Sequence, residues 1–227
     1  MIEIDLRTAT KKQKFFFYLK NNGFAYTILS AVGRPLPILW NLLGPSLTKK
    51  ATERYLKRFH PPSLNLGSGS NRIKGMLNVD IDARADAYVN ITKPLPFPDA
   101  TFQYIYSEEV IEHVSREHAK HLLLECYRIL MPGGRIRLTT PSLDFFCSAF
   151  SDSQITEGAV NDIFYHHGHL HIYSENSLSE ILVAAGFTSI SFSDYRSINS
   201  PLGCYDSHAD RFSENPKISL YADALKP

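Results

Sequence analysis

SLNLGSGSNRIKGMLNVDID, residues 63–82, is the stretch from which the rest of the chain is read. Its apolar run at 64–66 predicts a buried strand that breaks at Gly67, Ser68 and Gly69. A second strand-like run, 77–81, ends at the acidic residues Asp80 and Asp82. This is the layout of a nucleotide site. Glycines at the carboxyl end of the first strand let the backbone approach a ligand, and an acid at the end of the second can accept hydrogen bonds from both ribose hydroxyls. Gly-Ser-Gly by itself is also what an ordinary turn looks like, so the acid and the later motifs carry the weight.

Outward from this stretch, strand-like and helix-like segments alternate, which predicts an α/β fold with a mostly parallel sheet. Further strands are expected at 87–91, 104–106, 135–140, 189–192 and 218–224. Ser115 reads as the N-cap of a helix whose apolar residues Ala119, Leu122, Leu123, Cys126, Ile129 and Leu130 form a 3.6-residue stripe, and MPGG stops it. Ser174 caps another helix, which ends at Gly186.

The 227 residues suit one domain with an appendage, and 44% hydrophobic with 21% charged residues fits a globular chain with a sizeable core. Cys126, Cys147 and Cys204 form no CxxC pair, so neither a disulfide framework nor a cysteine zinc site is expected. No span is long and apolar enough to cross a membrane, and the start MIEIDLRTAT is no signal peptide, so the expected location is the cytoplasm. The net charge of +1 hides an asymmetry. Residues 1–60 hold eleven Lys and Arg against three acids, or +8, leaving −7 for residues 61–227. We read 1–60 as a basic, aromatic-rich helical arm, with helical pieces before Asn21 and from about 47 to 59 separated by glycines and prolines, and 61–227 as the main domain. The arm either packs on the acidic body or makes a membrane-surface or homodimer contact. Nucleic acid is not expected, since an acidic body repels phosphate.

LNLGSGS, NVDID, VNITKPLPFPDATFQYIYSEEVIEHV (89–114), LLLECYRILMPGGRIRLTTP (122–141) and HLHIYSENSLSEILVAAGF (169–187) occur in that order. Together they resemble the class I S-adenosylmethionine-dependent methyltransferases of small-molecule type, with a nearer likeness to predicted bacterial enzymes of surface polysaccharide synthesis. The resemblance covers 63–227 and implies a seven-stranded, mostly parallel, Rossmann-like sheet and S-adenosyl-L-methionine as cofactor. It also implies roles. Gly67, Ser68 and Gly69, following Asn65, pass under the methionine part. Asp80 holds the ribose with Ile81 beside it, the Asn90 oxygen accepts from the adenine amino group, and the Ile91 amide donates to the ring. Ser107, Glu108 and Glu109 end the fourth strand at the cofactor's edge.

Three positions depart from the family pattern: Asn65 stands where Asp is usual, Ser70 where a third glycine is common, and Gln103 where an Asp commonly follows the phenylalanine. Only 13 residues separate Gly67 from Asp80, against the ~20 of a dinucleotide-binding unit, so the first crossover has room for little helix and no phosphate-cradling helix start.

Methyl transfer mainly asks for proximity, and a base is needed only where the acceptor is a hydroxyl. Glu109, Glu112 and His113 follow the fourth strand and are candidate bases; His113 equally reads as a residue that orients the following segment. In HHGHLHIY, His167, His169 and His171 alternate so that a strand would show them on one face, for acceptor binding, base function, or simply as capping and solvated side chains. The spacing is also that of metal ligands, but with no paired carboxylate or cysteine motif no metal is expected. Asp144 and GCYDSHADRF (203–212) are placed at the acceptor's border or on surface loops. The reading is O-methylation of a small, polar, saccharide-type acceptor. Its alternatives are a lipid or quinone headgroup at a membrane surface and a catalytically silent cofactor-binding subunit.

Overall fold

The computed structural model describes residues 35–227, with side chains from 43 onward. What was expected of 1–34, the aromatic run at 15–18 included, lies outside the described residues. The residues Gly44–Pro227 form one compact unit. Its frame is a seven-stranded sheet: β1 (Ser63–Leu66), β2 (Leu77–Asp80), β3 (Ala87–Tyr88), β4 (Phe102–Glu108), β5 (Leu130–Pro141), β6 (Thr188–Phe192) and β7 (Ser219–Leu225), in the order β3-β2-β1-β4-β5-β7-β6. All pairings are parallel except β5 with β7 and β6 with β7. This is the Rossmann-like fold expected. The strand order reverses between β1 and β4, and in an open parallel sheet the crevice outside the carboxyl ends at such a point is where ligands bind.

Helix α1 (Pro35–Leu56) precedes the sheet; α2 (Arg116–Ile129), α3 (Leu143–Ser151), α4 (Glu157–Tyr165), α5 (Glu175–Ala184) and the short α6 (His208–Phe212) follow in chain order. Ser115 caps α2 by accepting from the His118 amide, and Ser174 caps α5 in a reciprocal box with Ser177. The predicted stripe is buried: Ala119, Leu122, Leu123, Cys126 and Ile129 pack with Leu178, Ile181 and Leu182 against β-strand residues such as Leu64, Ile105 and Ile136. α1 starts earlier than expected and runs through Gly44 and Pro45. Its second half explains this. A side chain at Gly44 would overlap Tyr88 on β3, and the Thr48 hydroxyl donates to the Tyr88 carbonyl at 2.7 Å. The Tyr55 hydroxyl accepts from the Ser63 amide and lies 2.8 and 2.9 Å from the carbonyls of Ser63 and Gly75, which fixes the helix end at the start of β1.

The crossover from β1 to β2 contains only turns, no helix. A helix satisfies its own amides; turns must find partners elsewhere. Two buried asparagines supply them. Asn65 donates through Nδ2 to the Asn71 carbonyl and to Asn78 Oδ1, both at 2.9 Å. Asn78 Oδ1 also accepts from the Ile73 amide, and its Nδ2 donates to the Met76 carbonyl and to Asp86. Asn65 is therefore a donor that two acceptors require, which accounts for the missing aspartate at this position. We predict that Asn65→Asp lowers unfolding free energy by about 2–4 kcal/mol, because a carboxylate would face two acceptors and Asn78 cannot turn round without losing the Ile73 bond. Urea denaturation of the two proteins measures it.

Candidate functional site

The β1–β2 turn leaves the sheet at Gly67, whose φ of +74° and lack of Cβ let it pass beside Val110, where any side chain would overlap. The amides of Gly67 and Ser68 both donate to the Val79 carbonyl. Gly69, also at positive φ, has nothing within reach of a would-be Cβ. Asp80 ties this loop to β2: Oδ2 accepts from the Gly69 amide and Oδ1 from the Asp82 amide, both at 2.8 Å. A carboxylate has about four acceptor sites, so two remain for further donors. Ser68 Oγ is buried and has no hydrogen-bond partner.

This loop lines a cleft of about 550 Å³ together with Glu108, Glu109, His113, His167, His169 and His208, and its Asn71 side chain donates directly to Glu108 and Ser207. The expected site residues divide accordingly. Asn65, Gly67, Ser68, Gly69 and Glu108 line the cleft together with all four candidate catalytic residues. Asp80, Ile81, Asn90, Ile91 and Ser107 stand outside its lining. Ile81 is 60% exposed, available to a flat apolar ring. The Asn90 oxygen, expected to accept from an adenine, already accepts from the Thr92 amide and hydroxyl. Ser107 donates to the Leu66 carbonyl and so clamps β4 to β1. Asp144 accepts from the Glu175 amide at the start of α5, a capping position rather than an acceptor border.

Glu108 lines the cleft and also fastens a neighbouring segment to it. It accepts from the Ser207 amide and hydroxyl, the His208 amide, Tyr106 and Arg211, the last at 2.6 Å. Burial works to raise its pKa, but donors from His208 and Ser207 prevail and hold it well below the usual carboxylate range. The same anchor sets His208, whose ring burial alone would discharge; Glu108 and Glu109 raise its pKa above the ordinary value. Arg137, wholly buried on β5, donates in fork fashion to Asp206 at 2.8 and 2.6 Å and also to Asp223 on β7. These contacts bring 203–212 over the sheet end, so GCYDSHADRF does border the cleft through His208, Arg211 and Phe212.

The histidine segment is not a strand. Residues 166–172 turn and loop, with Gly168 at φ +70°, so alternation does not govern it. His169 nevertheless meets His113, ring centroids 4.7 Å apart, and His167 at 5.6 Å, while His171 turns away to Tyr173. The loop is held by the Glu112 carbonyl, which accepts from the amides of Leu170 and His171. Burial, with the neighbouring His113 and His167, pushes His169 down to about 4, and burial also lowers His113. Burial pushes the carboxyls of Glu109 and Glu112 up. Glu109 sits at φ +54° with Oε1 accepting from the hydroxyls of Thr139 and Ser219.

Arg137, Asp206, His208 and Arg211 were not singled out individually from the sequence. The one signal available for Arg137 was a charge between Ile136 and Leu138 in the strand-like RIRLTTP.

A family model described as a methyltransferase domain matches residues 47–191. No curated protein matches the sequence. Among solved structures, a SAM-dependent methyltransferase of Thermotoga maritima, described as a possible histamine N-methyltransferase, is 16% identical, with TM-score 0.52 over 94% of this chain and 99% of that one. One from Mesorhizobium loti is 17% identical, with TM-score 0.51 over 77% and 97%. The phosphoethanolamine N-methyltransferase 2 of Haemonchus contortus, in complex with phosphomonomethylethanolamine and S-adenosylhomocysteine, is 17% identical, with TM-score 0.50 over 78% of this chain and 53% of that one. At such identities the likeness is one of fold.

Glu108→Ala should cost about 3–5 kcal/mol of stability at neutral pH by leaving buried donors and Arg211 without a partner. A carboxylate whose folded pKa is depressed contributes stability that is fully present above its ordinary value of 4.5 and is lost as pH falls from there through the lower folded pKa, so the gap between wild type and variant should narrow in acid. Thermal melts across pH measure both.

Proposed function

We propose that this chain, which belongs to that methyltransferase-domain family and is an S-adenosylmethionine-dependent methyltransferase, transfers its methyl group to an oxygen of a small polar acceptor of saccharide type. The observation that carries this reading is that the glycine loop and a wall of imidazole and carboxyl groups share one cleft. A polyhydroxylated acceptor needs many hydrogen-bonding partners at fixed positions, and that wall offers them.

The residues present fit the cofactor. Gly67 and Gly69 leave the backbone open, the unpartnered Ser68 hydroxyl can take up a polar group, and Asp80 retains acceptor capacity for ribose hydroxyls. When bound, S-adenosylmethionine supplies an electrophilic methyl carbon on a sulfonium sulfur. The chain's own task is to orient the acceptor oxygen in line and to take its proton. Glu109 suits the second part. Its raised pKa brings it toward working pH, where general bases act best, whereas a histidine pushed down to about 4 is a weak base. His113, His167 and His169 line the same cleft and can hold the acceptor by hydrogen bonds.

A second reading has its own observation. An apolar groove of about 390 Å³, lined by Leu143, Cys147, Phe150, Phe164 and Leu170, shares Phe146 with the cleft. A lipid or quinone acceptor would lay its tail there with its headgroup in the cleft.

Mass spectrometry of the products from sugar-nucleotide and glycoside acceptors decides between them. We expect a product one methyl heavier, substituted on oxygen; methylation confined to lipids presented in micelles would move the assignment to the second reading. Asp80→Ala should weaken S-adenosylhomocysteine binding by about 1.5–3 kcal/mol, and Gly67→Val should abolish it, both by calorimetry. Glu109→Gln should lower kcat by about 10²-fold with cofactor affinity retained.

A further inference from the structure

We propose that Glu112, His113 and His169 form a binding site for one divalent transition-metal ion, zinc or a similar ion, on the wall of the cleft. One carboxylate oxygen and one ring nitrogen from each histidine already lie within 4.8 Å of one another. The Nε2 of His113 is 3.8 Å from Glu112 Oε1. In a tetrahedral zinc site the ligand atoms are about 3.3 Å apart, given bonds of about 2.0 Å, so small ring and loop rotations close the set.

A second observation points to a cation independently of this spacing. Glu112 is 0% exposed, and its Oε2 accepts from the Thr140 hydroxyl at 3.0 Å, yet its Oε1 has no hydrogen-bond partner. The His169 Nδ1 is likewise buried and unpartnered. A carboxylate oxygen taken out of water without a donor is costly to leave so, and a metal ion between these two atoms would satisfy both. The scaffold keeps the ligands together. Glu112 and His113 are consecutive on the 3₁₀ turn Ile111–His113, and the Glu112 carbonyl holds the His169 loop through the amides of Leu170 and His171.

The donor set selects the ion. Two imidazoles and one carboxylate suit zinc, cobalt, iron or manganese, whereas magnesium and calcium prefer oxygen donors throughout. Three protein ligands leave a coordination position open, and His113 and His169 both face the cleft. That position would take the acceptor oxygen, a consequence that rests on the O-methyl reading above; metal binding does not.

The test uses the full chain stripped with a chelator and then titrated with cobalt(II) and zinc(II). Expected are one ion per chain, a visible cobalt absorption of a nitrogen and oxygen ligand field, and affinity lowered in Glu112→Gln and in His169→Ala by more than the 10–100-fold that an outer-shell change costs. His171→Ala, outside the cluster, should bind as wild type. A thermal melt of each variant checks that it is folded, and the partly exposed position of His169 keeps that variant informative should Glu112→Gln misfold. Stoichiometry below one ion, or equal affinity in wild type and His169→Ala, overturns the site. A stripped protein that still methylates an oxygen at the full rate would remove the metal from the reaction without touching the acceptor assignment. Tight binding with no O-methyl product would do the reverse.

Discussion

The cleft depends on a buried charge that the fold cannot leave alone. Arg137 stands on a central strand with no solvent contact, and removing a guanidinium from water costs several kcal/mol unless its donors are matched. Asp206 and Asp223 match them, one from a distant loop and the other from the antiparallel neighbour strand. Because the pairing with Asp206 is bidentate, it fixes orientation as well as distance. Residues 194–212 are thereby held across the strand ends, where Glu108 receives Ser207, His208 and Arg211. What would be an open crevice at the switch point becomes a cleft with a second wall. Glu108, at the carboxyl end of β4, is the fastening of that wall.

A comparable substitution of means holds the other wall. With no helix between β1 and β2, the backbone of the crossover is satisfied by the side chains of Asn65 and Asn78. The loop gains a rigid seat without a helix dipole, which suits a cofactor that carries a sulfonium and no phosphate better than it suits a dinucleotide. Above this seat the polar groups separate by their protonation. Burial raises the pKa of Glu109 and Glu112 and lowers that of His113 and His169, so the wall can take a proton at one point and offer nitrogen lone pairs at another.

Much of the frame was legible in the residues because it follows local rules. Ser115 and Ser174 announce their helices by capping, the 3.6-residue stripe of α2 states its buried face, and Gly67 marks a turn that excludes a side chain. Misreadings arose where a distant partner overrode the local signal. Gly44 and Pro45 look like helix breakers, yet α1 continues through them because Gly44 admits Tyr88, some 40 residues on. Alternating histidines imply a strand only if the backbone extends; here Gly168 turns it, and His113 arrives from another element to complete the cluster. Arg137 lies two residues from the exposed Arg135 on the same strand and is nevertheless buried, because Asp206 and Asp223, 69 and 86 residues away, pair with it. Ser107 and Glu108 sit where cofactor contacts are expected, and only three dimensions show that their oxygens are already committed.

A crystal structure of the full chain with S-adenosylhomocysteine bound tests the central claim most directly, namely that the glycine loop and the histidine-carboxyl wall face one another across a single transfer site. The ligand's sulfur is expected between Gly67–Gly69 and the side chains of Glu109, His113 and His169, with Asp80 on the ribose. A sulfur directed away from that wall, with the acceptor side opening elsewhere, would contradict it.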